Sequence, residues 1–271
     1  MKFEIITIFP DFFRGPLGYG IVRRAREAGL IDIGIRDLRA FAHDRHRTVD
    51  DRPFGGGEGM VLKPEPIFEC LESLNVAPRK DRMADGARES VVLLSPQGRM
   101  FTQAVAQRMT EHDRIVLICG RYEGVDERVS ERLADCEISV GDFVLSGGEL
   151  AAAVIVDAVT RLIPGALGNA ASSQQESFTA GAVPMARVEG EPPSATCGSG
   201  GLLDYPHYTR PAEFRGMQVP EVLVNGNHEE IRRWRRRCAL KKTLRNRPDL
   251  LRAAELSEED RKLLREIEGE R

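Results

Sequence analysis

The chain reads VVLLSPQG at residues 91–98, IVLICGRYEG at residues 115–124 and SVGDFVLSGGE at residues 139–149, and these three stretches decide its fold. Each begins with apolar residues that are typical of a buried strand and ends in a loop of small residues. In an open α/β sheet, ligands bind beyond the carboxyl ends of the strands, where such loops converge. Three successive loops therefore favour a shared ligand cleft, although each alone is also typical of an ordinary tight turn.

Further apolar runs and helix-like segments extend this pattern. Strands are predicted at Phe3–Phe9, Ile31–Ile35, Val91–Leu94, Ile115–Cys119 and Glu137–Val140. Helices are predicted at Tyr19–Ala28, Gln103–Thr110 and Glu149–Leu162. The alternation indicates an α/β domain with a largely parallel sheet. Apolar residues surround the whole circumference of the last helix, so we expect it to be buried on all sides.

The last third of the chain has a different character. Residues 179–200 consist mainly of Ala, Gly, Pro, Ser and Thr, which predicts a mobile linker. From Pro220 onward the pattern is helical, and Ser257-Glu-Glu-Asp is typical of a capped helix N-terminus. We therefore expect an α/β domain at 1–165, a linker at 166–200 and a small helical domain at 201–271.

Charge is distributed unevenly along the chain. The net charge of −3 is not that of a uniformly basic nucleic-acid binder. Residues 232–247, however, read RRWRRRCALKKTLRNR, with nine Lys or Arg residues and no acid. This basic run predicts an element that faces a polyanion, whereas a solvated charged face is the alternative.

Other sequence features exclude several classes of protein. No run approaches the ~20 apolar residues of a membrane span, and the start MKFEIITIFPDFF is not typical of a signal peptide. Five cysteines without a CxxC pair favour a reducing cytoplasm over a disulfide framework. His43 and His46 have a ligand-like spacing, but no Cys or second His cluster completes a site, so no structural metal is predicted.

Glycines in the three loops would let backbone groups approach a flat ring, such as adenine, without a Cβ in the way. The chain has no GxGxxG motif opening a βαβ unit and no GxxxxGK[ST] motif. A Rossmann dinucleotide site and a P-loop are therefore disfavoured, while the loops themselves do not identify the ligand.

Six motifs resemble those of the bacterial tRNA (guanine-37-N1)-methyltransferases. They are LSPQG at 94–98, CGRYEGVDER at 119–128, SVGDFVLSGGEL at 139–150, RPFGGGEGM at 52–60, PHYTRP at 206–211 and HEEIRRWR at 228–235. The resemblance implies methyl transfer from S-adenosylmethionine to N1 of guanosine 37 in tRNA, next to the anticodon. It also implies a deep trefoil knot, which general rules of chain connection would exclude, and an obligate homodimer with each active site at the subunit interface.

By this resemblance the three loops form the knot and hold S-adenosylmethionine. The matching positions are Leu93, Leu94, Ser95, Pro96, Gly120, Tyr122, Glu123, Gly124, Ser139, Val140, Gly141, Asp142, Phe143, Val144, Leu145, Gly147 and Gly148. The carboxylate of Glu123 would favour the cationic sulfonium or ammonium of the ligand. The alternative is a turn acid that pairs with Arg121 or Arg128.

The implied reaction needs a base, because guanine N1 carries a proton at neutral pH. Its removal pushes negative charge onto O6, which then needs a cationic or hydrogen-bonding partner. The resemblance places Glu176 as the base, where the family has an aspartate before Ser-Phe, and Arg161 as the partner of O6. Glu176 is one methylene longer than the family's residue. The alternatives are a linker acid of no consequence and an arginine that caps the preceding helix.

The remaining predicted residues face tRNA. Asp50, Arg52, Gly57 and Gly59 are expected near the flipped-out guanine. His207 and Arg210 are expected to help set the helical domain against tRNA, and Arg232 and Arg235 to lie along phosphates. Trp234 is predicted to pack in the core rather than to stack on a base. The family's dependence on Mg²⁺ makes that ion a second candidate cofactor.

One segment departs from the family's pattern. The spacing between Ser-Phe and Gly-Leu-Leu-Asp is usually short, whereas Thr179–Gly200 fills it here, and we expect this insertion to loop out of the linker.

Two other functions stay open: a knotted methyltransferase acting on a ribose 2′-hydroxyl or on ribosomal RNA, and a non-catalytic RNA-binding protein. The first would need no ring-deprotonating carboxylate, and the second would not bind S-adenosylmethionine.

Overall fold

The computed structural model describes residues 1–83, 86, 88–168, 176–179 and 200–269. The chain divides into two compact units, Met1–Gly168 and Asn169–Arg271. Most of the predicted linker at 166–200 lies outside the described residues. Within the described part, none of the helices combines the length and apolar character that crossing a membrane requires.

A parallel sheet of five strands forms the centre of the first unit. The strands of this unit are β1 (Lys2–Thr7), β2 (Asp32–Asp37), β3 (Asp50–Asp51), β4 (Val61–Leu62), β5 (Glu89–Met100), β6 (Arg114–Cys119) and β7 (Cys136–Ser139). The sheet has the order β2-β1-β6-β5-β7, and all of its neighbours run parallel. The five strands that the sequence predicts are therefore confirmed. The inner strands β5 and β6 contain the continuous apolar runs VVLL and IVLIC because the inner strands of a parallel sheet are covered on both faces.

Helices cover this sheet. They are α1 (Gly20–Glu27), α2 (Pro64–Ser73), α3 (Arg79–Arg82), α4 (Gln103–Met109), α5 (Glu127–Arg132) and α6 (Glu149–Thr160), with short 3-10 helices at Pro10–Arg14 and Leu38–Phe41. Successive strand residues point to opposite faces, so Phe3 and Ile5 join one apolar cluster whereas Ile6 and Ile8 join another. The core of the unit is thus two clusters separated by the sheet.

Within a single chain, α6 is not buried on all sides. Ile155 and Val156 are completely buried, but Leu150 and Val154 are 51% and 50% exposed. These two residues are four positions apart and therefore lie on one face of the helix. Apolar residues occur on every face of α6, but the rest of this unit covers only one side of the helix.

Strand β5 extends beyond its predicted end at Leu94. Ile138 of β7 pairs with both Leu94 and Arg99, so residues 95–98 leave the ladder and return to it. A Cβ built on Gly98 would overlap the backbone of Ile138, which makes glycine necessary at this close approach. The excursion carries the SPQG stretch to the carboxyl edge of the sheet.

The second unit is mainly helical in its described residues. Its elements are β8 (Glu213–Phe214), β9 (Met217–Gln218), a 3-10 helix at Glu221–Leu223, α7 (His228–Asn246), α8 (Pro248–Ala253) and α9 (Glu258–Gly269). Its small core consists of Leu202, Leu240, Leu263 and Ile267. The N–H of Asp260 donates to Ser257 Oγ at 3.1 Å and the N–H of Ser257 to Asp260 Oδ2 at 3.0 Å. This reciprocal pair confirms the capped N-terminus predicted at Ser257.

Candidate active site

The loops after β6 and β7 and the excursion of β5 enclose one cleft of about 370 Å³ in the first unit. It is lined by most of the predicted cofactor positions: Leu93, Leu94, Ser95, Pro96, Gly120, Tyr122, Glu123, Gly124, Ser139, Val140, Phe143, Val144, Leu145, Gly147 and Gly148. Gly141 and Asp142 are not among the lining residues, although the Ser139 hydroxyl donates to the carbonyl of Gly141 at 2.9 Å. The sequence pattern thus located the cleft.

The loops after β6 and β7 are in direct backbone contact. The N–H of Gly148 donates to the carbonyl of Gly120 at 2.9 Å, and Arg121 forms an antiparallel bridge with Gly147. A Cβ on Gly148 would lie 2.8 Å from Cys119 Cα, closer than real Cβ atoms approach. Glycine at 148 therefore lets one loop pack on the other, which differs from the ligand approach that the sequence suggested.

A buried ion pair, Arg121–Glu149, joins the same loops, and the sequence reasoning did not identify it. Glu149 is 1% exposed and accepts from Thr7 Oγ1 at 2.8 Å and from Arg121 Nε at 2.9 Å. Arg121 Nη1 also donates to the carbonyl of Ser146 at 2.9 Å, and its guanidinium lies 4.5 Å from the ring centre of Phe9. The position of Glu149 could have indicated a structural role from the sequence, because it follows two glycines at the start of α6 and a carboxylate there is favoured by the helix dipole.

The two alternative partners of Glu123 are engaged elsewhere. Arg121 pairs with Glu149, and Arg128 pairs with Asp126 at 2.7 Å. Among the described residues no ion pair involves Glu123, whose side chain lines the cleft. A carboxylate that no nearby cation neutralises favours a cationic ligand group.

Cys119 is buried in the core at the end of β6, directly before the cleft residue Gly120. Its complete burial, with a further contribution from the Glu149 carboxylate, raises the pKa of the thiol well above its ordinary value. The group is therefore a neutral thiol at physiological pH and unsuited to act as a nucleophile.

Other lining residues were missed as individual predictions. They are Gln97, Arg121, Val125, Glu127, Ser130, Glu137, Ile138, Ser146 and Ala151. Several lie inside the quoted motifs, so position in a motif was a usable signal for them. Ser130 and Glu137 could not be found from the sequence in this way. The hydroxyl of Ser130 on α5 donates to the carboxylate of Glu137 on β7, and no local sequence pattern predicts a contact between two elements.

The loop at 52–60 lies beside this cleft. Asp50 pairs with Leu62 and Asp51 with Val61 in an antiparallel β3–β4 hairpin, from which Arg52, Gly57 and Gly59 extend. The N–H of Glu123 donates to the carbonyl of Met60 at 3.0 Å. Phe54 at the loop tip is 99% exposed. The hairpin thus attaches the loop to the cleft edge at which Glu123 lies.

The two predicted catalytic residues belong to different units. Arg161 directly follows α6, and its N–H donates to the carbonyl of Asp157 at 3.2 Å. Glu176 opens a turn in the second unit, in which the N–H of Thr179 donates to its carbonyl at 3.3 Å. The N–H of Asp204 donates to Ser177 Oγ at 2.9 Å and fixes this turn on the following chain.

The two ends of the insertion lie next to each other. The N–H of Gly201 donates to the carbonyl of Thr179 at 2.9 Å. Residues 180–199 lie outside the described residues, but this hydrogen bond means that the chain leaves and re-enters at one place. The looping out of residues 180–199 stays a prediction.

The basic run is partly neutralised by acids that flank it in the chain. Arg232 pairs with Glu229 at 2.7 Å and Glu259 at 3.3 Å. The other pairs are Arg233–Glu266 at 3.6 Å, Arg236–Asp260 at 2.6 Å and Arg247–Asp249 at 2.7 Å. The absence of acids within 232–247 therefore overstated its positive field, because α9 brings carboxylates against α7.

Three other residues predicted to face tRNA lie around a cleft in the second unit, and they are His207, Arg210 and Arg235. His207 Nε2 lies 2.9 Å from Asp204 Oδ2, and the Arg235 guanidinium lies 4.9 Å from the ring centre of Tyr205. Arg210 lines the same cleft as His207 and Arg235. In the part of the chain that the structure describes, no group of three or more His, Cys, Asp or Glu side chains is placed to hold a metal ion.

Comparison with known proteins agrees with the motifs. The family model described as tRNA (Guanine-1)-methyltransferase TrmD matches residues 1–253. A protein of Koribacter versatilis named tRNA (guanine-N(1)-)-methyltransferase is 68% identical over 267 residues, 98% of this chain and 98% of that protein. Proteins of the same name from Geobacter metallireducens and Moorella thermoacetica are 50% and 48% identical, over 99% and 100% of this chain and 98% and 99% of theirs. The resemblance inferred from the six motifs is thereby confirmed.

Proposed function

The chain belongs to the tRNA (Guanine-1)-methyltransferase TrmD family, and we propose on this basis that it transfers a methyl group from S-adenosylmethionine to N1 of guanosine 37 in tRNA. The observation that carries the proposal is the single cleft built by the three motif-bearing loops. These loops carry the family's sequence and converge at the carboxyl edge of a parallel sheet, where α/β folds bind ligands.

The chemistry of the cleft fits S-adenosylmethionine. Its volume of about 370 Å³ is in the usual range for small-molecule sites. The cleft is lined by the backbone of the loops after β6 and β7, which suits a flat ring and a ribose, and the Glu123 carboxylate suits a positive charge. The ligand supplies a methyl group on a cationic sulfur. Gly141 and Asp142 remain predicted contacts that the cleft geometry does not itself support.

Glu176 and Arg161 perform the proton chemistry in this proposal. The Glu176 carboxylate accepts the proton of guanine N1, and the Arg161 guanidinium stabilises the negative charge that develops on O6. The freed N1 electron pair then forms the new N–C bond as the S–C bond breaks. Support for these roles comes from position: Glu176 stands before Ser-Phe, where the family has an aspartate, and Arg161 follows α6, where the family has its arginine.

The substrate is held by both units. The 52–60 hairpin loop, with Asp50, Arg52, Gly57 and Gly59, binds around the flipped-out guanine, because a base must leave its stack before its ring atoms can react. His207, Arg210 and Arg235 bind elsewhere on the tRNA. Arg232 is assigned a weaker role, since its donors already engage two carboxylates.

A homodimer is part of the proposal, with each active site at the subunit interface. It is supported by exposed apolar side chains near the cleft: Leu150 and Val154 on α6, and Phe143 and Val144 in the loop after β7, which are 57% and 83% exposed. Leu150 and Val154 share one face of the helix, Phe143 and Val144 are neighbours in the loop, and exposed apolar patches mark interaction sites. The trefoil knot belongs to the same proposal and is supported by the family motifs in the three loops.

Three further assignments complete the proposal. The boundaries are a knotted domain at 1–165, a linker at 166–200 and a helical tRNA-binding domain at 201–271. The protein acts in the cytoplasm, where its tRNA substrate lies. Mg²⁺ is a second candidate cofactor through the family resemblance alone, and removal of the ion with a chelator tests whether the transfer rate depends on it.

Labelled methyl transfer to an unmodified tRNA transcript with guanosine at positions 36 and 37 tests the function. A transcript with adenosine at 37 is expected to accept no methyl group. Glu176→Gln is expected to lower transfer at least about 100-fold, because the amide cannot take the proton, whereas Glu176→Asp retains activity. Undiminished transfer by Glu176→Gln would favour a ribose methyltransferase. Calorimetry that shows tRNA binding without S-adenosylmethionine binding would favour the non-catalytic alternative.

A further inference from the structure

The second unit contains a cleft of its own, of about 410 Å³, between residues 205–212 and the first turns of α7. Aromatic rings form much of its wall. The ring centres of Tyr205 and His207 are 4.7 Å apart, and those of Tyr208 and Trp234 are 6.3 Å apart. The volume is sufficient for a group the size of a nucleobase.

The charge of this aromatic cleft is complementary to RNA. Arg210 and Arg235 line it, and none of its lining residues is acidic. The guanidinium of Arg235 lies over the ring of Tyr205. Aromatic faces and guanidinium planes are the surfaces on which unstacked RNA bases stack, and the cations can also serve the adjoining phosphate.

Two rings of the wall are available to a ligand. Tyr208 is 51% exposed, and Trp234 lies outside the unit's core of Leu202, Leu240, Leu263 and Ile267. The sequence prediction that Trp234 packs in the core is therefore wrong. The apolar side of α7 divides between the core, which Leu240 enters, and this cleft.

We propose that the aromatic cleft binds one unstacked base of the tRNA, other than the guanine that is methylated. The inference rests on tRNA being the substrate, as proposed above. A base held here contributes binding energy and fixes how the helical unit sits on the tRNA, without contact to the reacting atoms. It should therefore change the affinity for tRNA and leave the affinity for S-adenosylmethionine unchanged.

Trp234 is the only tryptophan of the chain, so its fluorescence reports the cleft directly. Titration of the full-length protein with the unmodified transcript is expected to quench this emission. Tyr208→Ala should weaken tRNA binding about tenfold, as loss of one stacking surface does, while Tyr208→Phe restores it. Phe214→Ala, which removes an aromatic side chain that is 54% exposed in the same unit, is the matched control and should bind normally.

Transcripts with single abasic nucleotides identify the base. One abasic position is expected to weaken wild-type binding by the same factor as Tyr208→Ala and to have no further effect on that variant. If Tyr208→Ala does not fold, Arg235→Gln takes its place with the same expectation. Unchanged Trp234 emission on binding, or equal tRNA affinities of the folded variant and wild type, would overturn the inference while methylation of guanosine 37 persists. Loss of tRNA methylation by the wild type itself would instead contradict the proposed function.

Discussion

At the scale of single residues, the Arg121–Glu149 pair shows how the cleft is held in shape. Glu149 is buried and receives hydrogen bonds from Thr7 and Arg121, and Arg121 reaches the carbonyl of Ser146. The pair thereby joins β1, the loop after β6 and the loop after β7. Its residues could be read individually from the motifs, but their contact spans 28 positions in the sequence and needed the structure.

Glu149→Gln is expected to weaken S-adenosylmethionine binding about tenfold, or about 1.4 kcal/mol. The amide keeps the size of the side chain but leaves the Arg121 guanidinium without its counter-charge, so the two loops lose their fixed spacing. Calorimetry measures the affinity, and thermal unfolding shows whether the fold is retained. Glu131→Gln, at an exposed acid on α5, is the control, and equal affinities of the two variants would refute the positioning role.

At the scale of elements, apolar runs predicted all five strands because strands of a parallel sheet are buried on both faces. For α6, the composition of the helix does not say which partner covers each face. For α7, the charge pattern could not reveal that Glu259, Asp260 and Glu266 on α9 pair with some of its arginines. The Arg232–Glu259 pair is separated by 27 positions, beyond what a local charge pattern can reveal.

The Arg236–Asp260 pair between α7 and α9 is expected to stabilise the second unit. Burial of Asp260 favours its neutral form, but hydrogen bonds from Arg236 and Ser257 outweigh this and hold its pKa below the ordinary 3.8. A lowered folded-state pKa gives stability that is present above the unfolded value and is lost as pH falls through the folded value. Asp260→Asn should therefore cost about 2 kcal/mol at pH 7, and the difference should shrink below about pH 4.

Chemical denaturation followed by Trp234 fluorescence measures this effect in the second unit. Asp249→Asn is the matched control, because the Arg247–Asp249 pair has similar geometry but is exposed to solvent. It should cost much less than Asp260→Asn, since solvent screens exposed ion pairs. Equal losses in the two variants, or a loss for Asp260→Asn that does not shrink as the pH is lowered below 4, would show that the buried charge pair is not the cause.

At the scale of the whole molecule, the proposed homodimer accounts for the exposed apolar side chains of the first unit. Leu150 and Val154 lie on the side of α6 that the unit itself leaves uncovered. The sequence predicted the apolar character of this face, and the family resemblance supplied its partner. Neither the pattern of residues nor the fold of one unit could supply that partner alone.

Leu150→Asp is expected to shift the protein to a monomer and to lower methyl transfer at least about tenfold, because a charge in an apolar interface is costly to desolvate. The fold should survive, since Leu150 is 51% exposed within the unit. Light scattering after size-exclusion chromatography gives the mass of the assembly. Met217→Asp, at an apolar residue that is 63% exposed in the second unit, should remain a dimer. A dimeric Leu150→Asp would place the interface elsewhere.

The most direct test of the proposed function is the chemical identity and position of the methylated nucleoside. The protein is incubated with S-adenosylmethionine and the unmodified transcript, and the RNA is digested and analysed by mass spectrometry. The proposal predicts 1-methylguanosine at position 37 and its absence in the Glu176→Gln reaction. A 2′-O-methylated nucleoside, or 1-methylguanosine at another position, would contradict it.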